Sequence, residues 1–524
     1  MPDADATVPG HFRSFAERIV GHGDAEPDRV LISEPGGALT AGEFAGLARR
    51  LARALEGFGV DGGMRVAILA PVSPEALAVR YAAALLGCAS VFCPGASERS
   101  RLHSFLGHVR PNVLVVFPET ASAAAAVVPG DSVGSVVSVG PVKELDVDLL
   151  ALSATMPADP INGRASAQEL GVLVSSGGTT GFSKASCRSF ATYGRMVDAG
   201  PTTGRRQLVC TPLAYVAQVL VDQALIGGGS AVMLRRFDPA DVLRTIAAER
   251  ITHLGLVEPA LVELIDHRDF LSTDVSSLVA ISHIGANAPA SLRRRLLERA
   301  GPVLAHPYGA SEAGMISVLA APEYDLTHPE LLSTAGRPLP GVEVRVDHTD
   351  GTPASDGDAG AIVVRTPAAA EGYDVETGSV PFIDGWYHTG DLGLLDGDGY
   401  LHVRGRQQDL RRINGRAVLP LDVSNALCSH PHVHYAVTVP ATADASGFGS
   451  VVRLAPGAEV SESDLQAFVG ERHGRHLVPE VISLRDQIPV TEQGKPHRGK
   501  ITSMLFGRDV APTAHTMRAS DGGI

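Results

Sequence analysis

Val172-Leu173-Val174-Ser175-Ser176-Gly177-Gly178-Thr179-Thr180-Gly181-Phe182-Ser183-Lys184 carries a short apolar run straight into a loop of glycines and hydroxyls. Such a run reads as a strand buried on both faces, the kind found in parallel sheets. In the loop that follows, backbone N–H groups can point inward at an anion while hydroxyls add donors and the lysine adds charge. Together these suit a triphosphate. The segment is not a Walker loop, which needs Gly before the lysine and Ser or Thr after it; here the neighbours are Ser183 and Ala185. Taken alone, the same residues could also be a flexible surface turn.

On either side of this loop, helices alternate with short apolar strands. Thr40 and Glu43 form a capping-box pattern, and Phe44, Leu47, Ala48, Leu51 and Leu55 follow at helical spacing as far as Gly57 and Gly59. The run Val66 to Leu69 predicts a strand, Ser73-Pro74-Glu75 opens a second helix ending near Gly87, and Ser90 to Cys93 predicts another strand. The alternation returns between Gly171 and about Tyr308. It predicts an α/β fold with a mostly parallel sheet covered on both faces. From Val342 to Val403 the pattern shortens to alternating strands broken by Gly and Asp, which predicts a smaller β-rich unit. After Gly405 the chain turns polar, and a last α/β segment holds His434 to Pro440 and a helix near Ser463 to Arg472. The expected organisation is therefore a large N-terminal domain of layered α/β subdomains plus the β-rich one over residues 1–404, and a small α+β C-terminal domain over 405–508. Residues 509–524 have little apolar content and read as a disordered tail.

The bulk composition agrees with a multidomain globular protein. The 524 residues exceed what one core usually supports, and 44% hydrophobic against 19% charged residues is ample to fill cores. A net charge of -14, spread along the chain, argues against a nucleic-acid or anionic-membrane surface. The five cysteines lack metal spacing or a CxxC motif, the N-terminus has no signal-peptide pattern, and no apolar run reaches a membrane span. A cytoplasmic monomer or homodimer is expected. Lysine occurs only at 143, 184, 495 and 500, so each lysine stands out against an arginine-rich background.

The loop at 176–184 resembles the phosphate-binding signature of the adenylate-forming superfamily, which includes acyl-CoA synthetases, nonribosomal adenylation domains, aryl-acid ligases and beetle luciferases. Further motifs follow in that family's order. Tyr308-Gly309-Ala310-Ser311-Glu312 resembles Tyr-Gly-x-Thr-Glu, and Trp386-Tyr387-His388-Thr389-Gly390-Asp391 resembles Tyr-Arg-Thr-Gly-Asp. Gly405-Arg406-Gln407-Gln408-Asp409 is similar to the hinge signature, and Pro489 to Lys495 to the C-terminal lysine motif. The resemblance spans about residues 30 to 505. It implies ATP-dependent activation of a carboxylic acid to an acyl-adenylate with release of pyrophosphate, then transfer to a thiol of CoA or of phosphopantetheine on an acyl carrier protein.

The resemblance also assigns roles. Adenylation brings a carboxylate to a phosphate, so cations and donors must stand where negative charge gathers. Ser176, Gly177, Gly178, Thr179, Thr180, Gly181 and Lys184 would hold the ATP phosphates, and Glu312 would bind Mg2+. Ser311 would touch the α-phosphate, Tyr308 with Gly309 would border adenine, and Asp391 and Arg406 would hold the ribose. Gly285, Ala286 and Asn287 would line adenine and the acyl pocket together with Tyr215, Glu258, Gly309, Ala310, Gly314 and Met315. Lys495 would bridge the acyl carboxylate and the α-phosphate, whereas Lys500 reads as a solvated charge. Gln408 stands at the hinge where Asp or Lys is common, and rotation there would withdraw Lys495 and bring Arg411, Arg412 and Gly415 to the thiol.

Departures gather at the acyl pocket. Tyr215 replaces a typical histidine after Pro212-Leu213, and no acid before Asp222 could pair with an α-ammonium, which disfavours amino acids. Glu258 could meet a substrate amine or phenol, or could be a surface residue. The Gly-Gly-Thr-Thr-Gly loop with Ser183 is similar to aryl-acid enzymes and points to an aromatic or short unsaturated acid over a long-chain one. Two other readings remain open: ATP-dependent activation of nitrite for diazotisation of an aromatic amine, and a non-catalytic homologue.

Overall fold

A computed structural model describes residues 12–94, 99–125, 132–175, 185–200, 203–285, 288–348, 350–373, 382–441 and 447–507. The loop residues 176–184, the pair Ala286 and Asn287, and the tail from 508 onward lie outside them.

Two large sheets form the body. One is seven-stranded and carries Arg65–Leu69, Ala89–Phe92, Val113–Val116 and Leu170–Ser175 among its members; the other is nine-stranded and runs in part Leu304–Ala310, Ala280–His283, His253–Leu256, Arg206–Val209, Ser230–Met233. The central strands of both are parallel, as their continuous apolar character predicts. Thr40 caps the helix Ala41–Gly57 with the expected reciprocal bonds, Glu43 N to Thr40 Oγ1 at 3.2 Å and Thr40 N to Glu43 Oε2 at 2.8 Å. Pro74–Leu85 is helical and buried on all sides except at Glu75, which places it between the sheets rather than on the surface. Its Arg80 forms a fully buried pair with Asp222 of the helix Gln218–Ile226, and the hydroxyls of Tyr81 and Tyr193 also donate to that carboxylate, at 2.6 and 2.7 Å. A buried carboxylate held by a guanidinium and two phenols is fully committed, so Asp222 is not available to a substrate ammonium.

The β-rich unit is the sheet of Glu343–Asp347, Gly360–Arg365, Phe382–Ile383, Trp386–Leu395 and Leu401–Arg406. Its last strand runs two residues past the boundary expected after 404. Beyond it come a hairpin, the helix Pro420–Cys428, a sheet of Val433–Pro440, Phe448–Leu454 and Val481–Leu484, and the helices Glu462–Arg472 and Arg498–Phe506. This C-terminal segment is docked on the body: Tyr435 is buried in the same apolar cluster as Leu256, Leu261 and Leu292. Around that contact, His434 Nδ1 lies 3.0 Å from Asp266, and Arg295 donates to the His434 carbonyl at 3.1 Å. No helix among the described residues is long and apolar enough to cross a membrane.

Candidate active site

Lys495 enters from the C-terminal segment on a tight turn. Gly494 N donates to Thr491 O at 2.8 Å and Thr491 N to Lys495 O at 2.7 Å. The side chain lies across Gly285, where a Cβ would stand 2.5 Å from Cε and 2.9 Å from Nζ of the lysine. Gly285 also has φ +97, so glycine is needed there both for space and for backbone conformation. Burial, and next to it the charge of Arg406, depress the Lys495 ammonium below the usual lysine range.

The β-rich sheet supplies the opposite wall. Asp391 and Arg406 are directly paired across adjacent strands, which sets Arg406 Nε 3.3 Å from Asp391 Oδ1. The Tyr308 hydroxyl donates to Asp391 Oδ2 at 2.7 Å, and Arg406 Nη1 donates to the Thr389 carbonyl at 2.8 Å. Burial raises the Asp391 carboxyl, against the opposing pull of Arg406 and Tyr308. Tyr308 thus orients the expected ribose acid, a task the sequence did not disclose beside its expected one at adenine.

Glu312 sits in the turn between Leu304–Ala310 and Gly314–Leu319 and accepts from the hydroxyls of Tyr373 and, at 3.1 Å, Tyr387. The turn is tight: a Cβ at Gly309 would lie 2.3 Å from the Gly314 carbonyl, and Gly314 has φ +73. Gly309 pairs with Met315 and Ala310 with Gly314, so these four expected pocket residues share one hairpin. Arg188, fully buried on the strand Ala185–Ser189, donates Nη2 to the Ser311 carbonyl at 2.6 Å, Nη1 to Ser186 Oγ at 3.0 Å and Nε to Ala368 O at 3.1 Å. The Ser186 hydroxyl also donates to Ser311 O, at 2.9 Å. The strand that leaves the 176–184 loop is thereby bolted to the Ser311–Glu312 turn.

The structure brings together Lys495, Gly285, Tyr308, Asp391 and Arg406, with Glu312 and Ser311 on the adjoining turn. Of the remaining expected residues, Ser176, Gly177, Gly178, Thr179, Thr180, Gly181, Lys184, Ala286 and Asn287 lie outside the described residues. Tyr215 occupies a one-turn irregularity, Leu213–Ala217, with φ -126 and ψ -143, and is half-buried against the core. Gln408 is exposed in the short helical turn Gln407–Asp409 and its carbonyl accepts from Arg411 at 3.0 Å. Beside it Asp409 pairs with Arg498 at 2.6 Å, tying that turn to the helix just after Lys495. Arg411, Arg412 and Gly415 belong to a hairpin, Arg411–Ile413 with Arg416–Val418, turned at Asn414 and Gly415, both at positive φ.

Glu258 requires a correction. It is not a surface residue: as the first residue of the helix Glu258–Ile265 it is 5% exposed and faces Tyr435 and Arg293, with Cys428 nearby. The docked C-terminal segment covers it, a contact between distant parts of the chain that local sequence does not reveal. Burial pushes its carboxyl from 4.5 up to about 8, opposed by the Tyr435 hydroxyl and Arg293. A raised acid is held protonated in the fold. Its contribution is complete below pH 4.5 and is lost as the pH climbs through about 8, a change of order a few kcal/mol. Thermal melts between pH 5 and 8.5 should therefore lose less stability for Glu258→Gln than for the natural protein. Parallel curves for the two proteins would contradict this.

Tyr387 could have been found by strand alternation, since Tyr387, Thr389 and Asp391 all point to the buried face of Trp386–Leu395. Arg188 was signalled only by being a lone arginine in a strand of small residues, and Tyr373 by nothing local.

Residues 21–374 match the family model described as AMP-binding enzyme. The chain is 31% identical to a medium/long-chain-fatty-acid–CoA ligase of Mycobacterium tuberculosis, over 89% of this chain and 86% of that protein. It is 30% identical to a feruloyl-CoA synthase of an Amycolatopsis species, over 91% and 96%. Among solved structures it superposes on an amide bond synthetase from Marinactinospora thermotolerans with a TM-score of 0.83 at 30% identity, covering 94% of this chain and 99% of that one.

Proposed function

The chain belongs to the family of AMP-binding enzymes, and we propose that it joins an aromatic or short unsaturated carboxylic acid to the thiol of CoA through an acyl-adenylate. The observation that carries this reading is Lys495 laid across Gly285 beside Arg406, with Asp391 and Tyr308 in the same cleft.

In the first step a carboxylate oxygen of the acid bonds to the α-phosphorus of ATP, the bond to the bridging oxygen breaks, and pyrophosphate leaves. Lys495 neutralises the two anions as they meet, an interaction strongest when charge is being redistributed. Asp391 accepts from the ribose hydroxyls and Arg406 holds Asp391 in place. Glu312 offers one carboxylate, oriented by two phenols, which fits Mg2+ because that ion takes few protein ligands and completes its shell with phosphates and water. Bound there, Mg2+ would offset the negative charge of the phosphates. In the second step the CoA sulfur bonds to the acyl carbon, AMP departs with the electron pair of the C–O bond, and the thiol proton is released. Lys495 has no place in that step, so the C-terminal segment would turn about Gln408 to withdraw it. A phosphopantetheine-bearing carrier protein offers the same sulfur chemistry.

Ferulate, named for one relative, is an aromatic unsaturated acid of the proposed kind, and the fatty acids named for another are the competing class. The likeness to an amide bond synthetase over 99% of its length favours a second reading, in which an amine attacks the adenylate instead of a thiol. Pyrophosphate exchange across aryl, cinnamoyl, short-chain and long-chain acids, followed by addition of CoA or an amine and with nitrite as a separate arm, tests all of this. Exchange with cinnamoyl or aryl acids and thioester formation with CoA are expected; nitrite-driven AMP formation, or no exchange with any acid, would overturn the proposal.

A further inference from the structure

A small cavity lies between the helix Gln218–Ile226 and the nine-stranded sheet, lined by Gln207, Val209, Thr211, Ala217, Leu220 and Gly255. Its wall at Gly255 stands beside the residue that precedes Gly285. A Cβ at Gly255 would meet Leu220 Cδ1 at 2.6 Å and Ile284 Cδ1 at 3.4 Å, and Ile284 immediately precedes Gly285. The lining is apolar at Val209, Ala217, Leu220 and Gly255 and polar at Gln207 and Thr211.

Side chains alternate across a strand, so Arg205, Gln207 and Val209 share one face, as do His253 and Gly255 on the neighbouring strand. The two strands are parallel with His253 directly beside Gln207. Arg205 Nε and Nη2 both donate to Gln207 Oε1, at 2.9 and 2.6 Å, and Gln207 Nε2 donates to the Leu208 carbonyl at 2.9 Å. His253 Nδ1 lies 2.8 Å from Thr252 Oγ1. Arg205 is only 7% exposed. Among the described residues it has no carboxylate partner, and its titratable neighbour is the basic His253. A guanidinium withdrawn from water without a counter-ion is costly, and most buried arginines of this chain are arranged otherwise. Arg80 holds Asp222, and Arg188 spends all three nitrogens on hydrogen bonds. Burial alone brings Arg205 down to about 10, so it remains a cation at neutral pH, whereas burial and then Arg205 push His253 down to about 4 and leave it neutral.

We infer, resting on the acid-activating role proposed above, that Arg205, backed by Gln207 and His253, forms the far end of the acyl pocket and binds a second carboxylate on the substrate. The acid would then be an extended dicarboxylic acid, one carboxylate reacting at Lys495 and the other held as a bidentate or charge-assisted partner of the guanidinium. Its length follows from the sheet. Gly285 lies five residues beyond Ala280, the register partner of His253, the last two past the end of the strand Ala280–His283, a rise of at most about 16 Å at about 3.3 Å per residue. Allowing a hydrogen-bond length at each end, that span suits two carboxylates separated by a cinnamoyl-sized ring system, within the aromatic class proposed above, and an eight- to ten-carbon chain is the aliphatic comparison of similar length.

Matched pairs of acids decide the matter: decanedioate against decanoate, and 4-carboxycinnamate against cinnamate, measured by pyrophosphate exchange on the full chain. The diacid of at least one pair is expected to exceed its monoacid in kcat/KM by tenfold or more, and Arg205→Gln to bring that ratio towards one, with Arg205→Lys retaining part of it. The ratio compares two substrates on one protein, so a lower yield of folded variant cancels. A ratio of one or less in the natural protein for both pairs overturns the inference while leaving acid activation standing, as does an unchanged ratio in Arg205→Gln. Exchange with none of the acids overturns the proposed function and this inference with it.

Discussion

Lys495→Ala is expected to slow acid-dependent pyrophosphate exchange by about 10² to 10³-fold, the loss typical when one preorganised donor is removed from a site of developing charge. The reasoning is geometric. Lys495 is held on a two-bond turn and laid across a glycine that has no room for a side chain, so its ammonium cannot be replaced by a neighbour. Arg406 is close enough to depress it, yet Arg406 is occupied by Asp391 and the Thr389 carbonyl. The loss should fall on kcat rather than on the KM for ATP, because the interaction is made chiefly in the transition state. Transfer from a supplied acyl-adenylate to CoA should stay within a few-fold of the natural protein, since that step does not use the lysine. Exchange that survives the substitution, or equal loss in both half-reactions, would show that Lys495 does not do what its position suggests.

The strands and helices that position this site were legible because their signals are local. The capping box at Thr40, the apolar runs at 66–69 and 90–93 and the change to short alternating strands after 342 each appear in the structure where the residues put them. The order of the motifs was legible as well, and the fold brings Lys495, Asp391 and Arg406 together from positions up to 104 residues apart. What could not be read is whatever depends on one segment lying on another. Glu258 is buried only because Tyr435 arrives from 177 residues later, and nothing in Val257-Glu258-Pro259 records that. Arg188 looks like a surface charge until the Ser311 carbonyl is found against it. Tyr308 and Tyr387 illustrate the intermediate case, in which the motif marked the residue and the structure supplied the hydrogen bond that explains it.

Glu312→Gln carries the other large effect. The substitution keeps the shape of the side chain and one acceptor oxygen, so a hydrogen bond from Tyr387 or Tyr373 can survive and the turn should stay folded around the Arg188 bond to Ser311. It removes the negative charge. Phenol hydroxyls on a carboxylate spread that charge without cancelling it, and the arrangement leaves acceptor capacity on both oxygens for a cation. A hard divalent ion held by a single protein carboxylate depends strongly on that charge. Glu312→Gln should therefore lower exchange by about 10²-fold at low millimolar Mg2+, an effect of about 3 kcal/mol, and shift the Mg2+ midpoint upward, with partial recovery as the metal is raised. Tyr387→Phe, which leaves the charge and removes one donor, should cost only a few-fold. The comparison separates two roles: if the glutamate merely ordered its turn, Glu312→Gln and Tyr387→Phe would be alike and neither would respond to Mg2+. An unchanged Mg2+ midpoint in Glu312→Gln would remove the metal from this turn, whatever the size of the rate loss.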